Sequence, residues 1–80
     1  MRGAALIVLA WNQWRLTRSC LDSLLASELD QADVIVVDNG STDETPEALR
    51  GYADRVRIVT LPENLGFVRG MNAGIAAARP

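Results

Sequence analysis

Residues Val34 to Val37 form an unbroken apolar, mostly β-branched run that ends on an acid, Asp38, and then on turn chemistry, Asn39-Gly40-Ser41. Such a run, without polar alternation, fits a strand buried on both faces, as in a parallel sheet. A strand over 34–38 ends at Asp38. In open parallel sheets, ligands bind just beyond the carboxyl ends of strands. Asp38 therefore stands where a ligand-binding acid would be. The alternative, a turn-forming or solubilising acid at a strand end, stays open on pattern alone.

The rest of the chain can be read around this strand. Ala4 to Ala10 is a second continuous apolar run and a first strand. Leu16, Cys20, Leu21, Leu24, Leu25 and Leu29 recur at three and four residues, so a helix is predicted over 15–29 with these as its apolar face. Asp30 to Asp33 breaks it. After the Asn39-Gly40-Ser41 turn, a second helix has two candidate starts. Ser41 with Glu44 matches a capping box, and Thr45 precedes a first-turn proline, Pro46. Gly51 is its expected terminator. Arg55 to Leu61 reads as a third strand, 62–66 as a loop and Phe67 to Ala78 as a last helix. Gly70 and Gly74 share one face of that helix, which suits close packing or close approach of a ligand.

The resulting β-α-β-α-β-α order predicts an α/β fold with a three-stranded parallel sheet, a Rossmann-like half-domain. Right-handed crossovers put the three strand ends on one edge. Trp11-Asn12, Asp38 to Ser41 and Leu61 to Gly66 should converge there. Residues 1–80 read as a single partial domain, with no repeat and no linker.

Composition removes several function classes. The chain is 49% hydrophobic and 22% charged, which is globular rather than disordered. Its 80 residues make a thin core, so marginal stability or a place in something larger is expected. All eight basic residues are Arg, the net charge is −2, and no basic stripe recommends a nucleic acid. There is no His, which excludes His-based acid–base chemistry and His metal ligands. Cys20 is the one cysteine and is expected to be a small buried helix residue rather than a nucleophile. Arg2 and the apolar run to Trp11 look like the start of a signal peptide. Asn12-Gln13-Trp14-Arg15 follows, however, in place of a small-residue cleavage site. The run is also too short to span a bilayer.

The turn after the first strand, Trp11-Asn12-Gln13-Trp14, has no glycine, so the dinucleotide fingerprint fails at its defining point. No Walker A sequence is present, and the acids of a receiver domain are missing after strand one. What remains is a sheet edge with an acid, several amides and an arginine. Asp38 can accept from a base N–H or a sugar hydroxyl. Arg69, one turn into the last helix, can meet an anion, and Asn64 and Asn72 offer amides nearby. A nucleoside diphosphate carrying a sugar would use all of them.

VIVVDNGSTDET, followed by ENLGFVRGMNAGI some two dozen residues on, resembles the amino-terminal half of the family 2 glycosyltransferases, which have the GT-A fold. The branch it looks most like includes bacterial rhamnosyltransferase-like enzymes of cell-surface polysaccharide synthesis. The resemblance covers nearly all 80 residues. It implies that Asp38 contacts the base of a nucleotide sugar and that Trp11 and Asn12 lie beside the nucleoside. Asn39, Gly66, Arg69 and Asn72 would line the same pocket. Asn39 stands where many members have a second acid, and Ala10 where many have proline or asparagine. The family's Asp-x-Asp motif, which binds Mg²⁺ or Mn²⁺, and its catalytic base would fall beyond residue 80. The expectation is thus the nucleotide-sugar-binding half of a transferase, cytoplasmic or peripheral to the inner membrane face, without metal or turnover of its own.

Plainer roles exist for each residue. Asp43, Glu44 and Glu47 suit the helix dipole and nothing more. Trp11 and Trp14 suit a core or its rim, Arg69 a solvated surface, and Asn12, Asn64 and Asn72 loop backbone. The competing function is a non-catalytic α/β module that pairs with a partner or itself through an open sheet edge.

Overall fold

The computed structural model describes residues 5–27 and 33–78. They form β1 (Ala5–Ala10), α1 (Trp14–Ala26), β2 (Asp33–Asn39), α2 (Thr45–Leu49), a 3₁₀ turn (Arg50–Tyr52), β3 (Arg57–Leu61) and α3 (Gly66–Ala78). The three strands are parallel in the order β1-β2-β3, as the alternation predicts. The Val34–Val37 run lies in the central strand and is buried throughout, so its lack of alternation has the expected cause. Leu29, Asp30 and Ala4, assigned from the sequence to the helix end, its break and the first strand, lie outside the described residues.

Register divides the strand residues between two faces. Leu6 pairs with Val34, Val8 with Val36 and Ala10 with Asp38. These side chains share the face that carries the core, with Leu21, Leu49 and Val56, and with Trp14, Leu25, Tyr52 and Ile58 packed around it. The alternate residues face α3. A methyl at Gly70 would stand 2.6 Å from Leu9 Cδ1, and one at Gly74 would stand 2.6 Å from Ile7 Cγ2 and 3.0 Å from Val37 Cγ2. Of the two uses open to this glycine pair, close packing on the sheet is the one realised. At the far end of the sheet, Arg57 pairs with Asp33 at 3.1 Å and donates to the Ala77 carbonyl at 2.6 Å, tying β3, β2 and α3 together.

Several local expectations change. On α1, Thr17 and Leu21 are buried, whereas Leu16 and Cys20 are exposed. Both stripes have helical spacing. The ring of Trp14, edge-on to Tyr52 with centroids 5.8 Å apart, belongs to the flank that turns inward. Helix α2 takes neither predicted cap. Ser41 is engaged elsewhere, and Thr45 is already helical, its buried hydroxyl lying near the Asp43 carboxylate without making a hydrogen bond. The Thr45 N–H donates instead to Asp43 Oδ1 at 2.9 Å, so Asp43 does more than complement a dipole. Gly51 does not end the helix but lies within the 3₁₀ turn. The Tyr52 carbonyl accepts from the N–H groups of Arg55 and Val56, which delays β3 until Arg57.

Candidate functional site

The three strand ends converge on one rim and are bound to each other there. At the end of β1, Asn12 and Gln13 have φ of 54° and 51°, two successive left-handed residues without glycine. Asparagine tolerates this region better than most residues, and each such position costs on the order of 1 kcal/mol. The Asn12 N–H donates to Ser41 Oγ at 2.8 Å, and Asn12 Oδ1 accepts from the Thr42 and Asp43 N–H groups at 2.8 and 3.3 Å. These bonds fasten the first turn to the second.

Asp38 is the penultimate residue of the central strand, which runs one residue further than the sequence predicts and closes on Asn39. Asp38 is 1% exposed, and its Oδ1 accepts the Ser41 N–H at 3.1 Å, so the carboxylate organises its own turn. Asn39, 2% exposed, points to the other face of the sheet. Its Oδ1 accepts the Leu65 N–H at 3.0 Å, while its Nδ2 donates to Asn64 Oδ1 and the Gly66 carbonyl at 3.3 and 3.2 Å. Asn64 Oδ1 also accepts the Gly66 N–H at 2.8 Å. Gly40, at φ 75°, turns so close to the third loop that a methyl there would lie 2.3 Å from the Glu63 carbonyl carbon. Gly66, at φ 85°, opens α3.

The residues singled out in the sequence separate into groups. Asn12 and Asp38 are joined through Ser41 in the second loop, and Asn39 is bonded to Gly66 in the third; the two sets meet through the backbone at 38–39. Trp11 is half exposed at the rim. Arg69 and Asn72 are exposed on α3, three residues apart and so on one side of it, and are not hydrogen-bonded to the others. Two hollows adjoin the first turn. One, of about 280 Å³, is lined by Leu9, Trp11, Asn12, Gln13, Leu16 and Thr17. The other, of about 410 Å³, is lined by Gln13 to Leu16 with Asp43 and Glu44. Gln13 and Leu16 border both and were not candidates. The left-handed backbone at Gln13 and the exposed Leu16 are invisible to pattern matching.

The Asp43 carboxyl is held below its ordinary value of 3.8, first by the approach of the Thr45 hydroxyl and then, against a smaller cost of burial, by the backbone N–H groups of Thr45, Asp43 and Gln13. Among the described residues no group of three His, Cys, Asp or Glu side chains could hold a metal ion.

Residues 5–80 match the family model described as glycosyl transferase family 2. This chain belongs to that family. The succinoglycan biosynthesis protein ExoO of Rhizobium meliloti (strain 1021) is 39% identical over 74 residues, which are 91% of this chain and 21% of ExoO. EpsH of Bacillus subtilis (strain 168) is 35% identical over 78 residues, 94% of this chain and 22% of EpsH. Among solved structures, the mannosyltransferase PcManGT of Pyrobaculum calidifontis, in complex with GDP-Man and Mn²⁺, superposes with a TM-score of 0.87 at 29% identity. The match covers 99% of this chain and 25% of that one. The α/β, GT-A architecture expected from the sequence is thus found, and the chain spans about a fifth of the length of these curated relatives.

Proposed function

We propose that this chain is the nucleotide-sugar-binding portion of a family 2 glycosyltransferase that transfers a sugar from a nucleoside diphosphate to an acceptor hydroxyl in cell-surface polysaccharide synthesis. One observation carries the reading. Asp38 lies one residue before the end of the central parallel strand, buried just beneath a rim where hydrogen bonds tie the first loop to the second and the strand's last residue to the third. Support comes from the family match and from GDP-Man in the PcManGT structure. In this reading Asp38 accepts a hydrogen bond from the base, a charge-assisted bond of about 1.5–3 kcal/mol. Trp11 and Asn12 flank the nucleoside, and Arg69 with Asn72 faces the diphosphate across the opening of α3. The rhamnosyltransferase-like branch rests on VIVVDNGSTDET and ENLGFVRGMNAGI alone.

A divalent cation of the complete enzyme, Mg²⁺ or Mn²⁺, would need carboxylates beyond those described here, because the described acids do not cluster. This part of the enzyme then binds and orients the donor. No helix among the described residues is long and apolar enough to cross a membrane. A cytoplasmic location, with the complete enzyme peripheral to the membrane, belongs to the proposal.

Calorimetric titration of the chain with UDP, dTDP and GDP tests the reading. Saturable binding of at least one, weakened about tenfold or more by Asp38→Asn, is the expected result. A folded chain indifferent to all three would end it. A second reading, a module that associates with its own copies, is favoured by the open edge of β1 and by exposed Trp11, Leu16, Phe67, Val68 and Ile75.

A further inference from the structure

We propose that Asn12 and Ser41 are positioning residues, joined in a reciprocal clasp that fixes where Trp11 stands on the rim and so how tightly a nucleotide is held. The last step rests on the nucleotide-binding reading above; the clasp itself does not. Ladder pairing of β1 ends with Ala10, opposite Asp38, and α1 begins at Trp14. Trp11, half exposed, therefore stands just past the sheet. The connection it opens has no glycine and passes through two left-handed residues, Asn12 and Gln13. Such a backbone is disfavoured for residues with side chains and persists where the surroundings hold it. The second loop does the holding. The Asn12 N–H donates to Ser41 Oγ at 2.8 Å, while Asn12 Oδ1 accepts the Thr42 and Asp43 N–H groups at 2.8 and 3.3 Å. Asn12 thus grips the second loop with its backbone and its side chain together.

Backbone N–H groups can only donate, so Thr42 and Asp43 fix which way the Asn12 amide is turned, with its oxygen toward the second loop. Ser41 is anchored in its turn, because its N–H donates to Asp38 Oδ1 at 3.1 Å and Asp38 is buried in the central strand. A path of hydrogen bonds thus runs from the residue beside Trp11, through Ser41, to a carboxylate in the sheet. Without the Asn12 oxygen or the Ser41 hydroxyl, Trp11 is held by the covalent chain alone. Its ring must then be ordered when the ligand arrives, and that ordering weakens binding. An aromatic face serves any base, since every base has a π-face. The loss should accordingly be shared by all nucleotides that bind.

Amide hydrogen exchange, NMR order parameters and calorimetry with UDP, dTDP and GDP, all on the 80-residue chain, test this. Asn12→Gly accepts the left-handed backbone without strain and deletes the side-chain half of the clasp. Protection at Thr42 and Asp43, both exposed, should fall about tenfold or more. Asn12→Asp keeps an acceptor oxygen and should retain that protection. Ser41→Ala, far along the chain from Trp11, should lower the Trp11 order parameter from the rigid range of about 0.85 toward about 0.6. In Asn12→Gly and in Ser41→Ala, affinity for every nucleotide that binds should fall by a common factor of about five to ten, with the ranking of bases kept. Unchanged exchange in a folded Asn12→Gly, an aspartate no better than glycine, or a Trp11 still rigid in Ser41→Ala would overturn the clasp. Full affinity with a loosened Trp11 would overturn its role in binding. A reordered ranking would show instead that one of the two residues reads the base itself. If the unsubstituted chain binds none of the nucleotides while the exchange contrasts persist, the nucleotide reading fails and the clasp stands.

Discussion

At the scale of single residues, Asp38 has two duties that substitution can separate. Its carboxylate holds the Ser41 N–H, and in the proposed function it also meets a base. Asp38→Asn retains an acceptor for Ser41 and should cost less than about 1 kcal/mol of stability. Asp38→Ala orphans a part-buried N–H and should cost about 1–3 kcal/mol, measured by urea unfolding. Gly40→Ala should be worse than either, because the added methyl meets the backbone of Glu63 and Asn64 at 2.3 and 2.5 Å and the φ of 75° is strained for alanine. The place of Asp38 near the end of a buried strand was legible from the sequence, because an unbroken apolar run followed by an acid has few structural meanings. The use of the amides was not. Nothing in the letters states that Asn12 would take up a left-handed backbone and bridge to Thr42, or that Asn39 would turn under α3.

Helices and strands follow the sequence pattern where a single force dominates, and depart from it where neighbours decide. Continuous apolar runs gave the strands, since burial on both faces leaves little choice. The face of α1 was read in part: Leu21 and Leu25, expected on it, lie in or against the core, whereas Leu16 and Cys20 are exposed and Thr17 and Trp14, the latter against Tyr52, turn inward. That contact extends to a hydrogen bond of 2.6 Å from the Tyr52 hydroxyl to Asp22 Oδ1, which holds α1 to the 3₁₀ turn. The bond to the Asp22 carboxylate, then burial, raise the Tyr52 hydroxyl above its ordinary value of 10.0. A folded-state value raised in this way stabilises the protein fully below pH 10 and is lost as the pH climbs through the raised value. Alkaline unfolding should therefore be gentler in Tyr52→Phe, whose stability should vary less between pH 9 and about 11. Helix α3 offers a further contrast. Alanine gains roughly 1 kcal/mol over glycine inside a helix, against about 1–3 kcal/mol for overpacking. At Gly70 the nearest atom is the end of the Leu9 side chain, which can rotate. At Gly74 the obstacles are the branched methyls of Ile7 and Val37, which cannot. Gly74→Ala should therefore lower the thermal midpoint more than Gly70→Ala.

For the molecule as a whole, the edges of β1 and β3 are both unpaired among the described residues, and the placement of the helices distinguishes them. Helices α1 and α2 cover one face as the chain steps from β1 to β2 to β3, and α3 covers the other. A right-handed crossover leaving α3 on that face leads back across β2 to the outer edge of β1. This edge is therefore the one set up to receive a further parallel strand. An unpaired edge of six residues recruits other chains. The surface around the fold is also apolar in places. Phe67, Met71 and Ile75 recur every fourth residue along α3, and Phe67 and Ile75 are exposed, as is Leu16 on α1. Exposed apolar groups of this size are normal singly but favour association when a bare strand edge accompanies them. In sedimentation the mean mass of the 80-residue chain should thus rise with concentration, with or without UDP. Phe67→Glu combined with Leu16→Lys, both at exposed positions, should return it toward monomer without loss of circular dichroism. A single species of monomer mass across the whole concentration range would instead mean that the edge of β1 is closed by its own twist and flanking side chains.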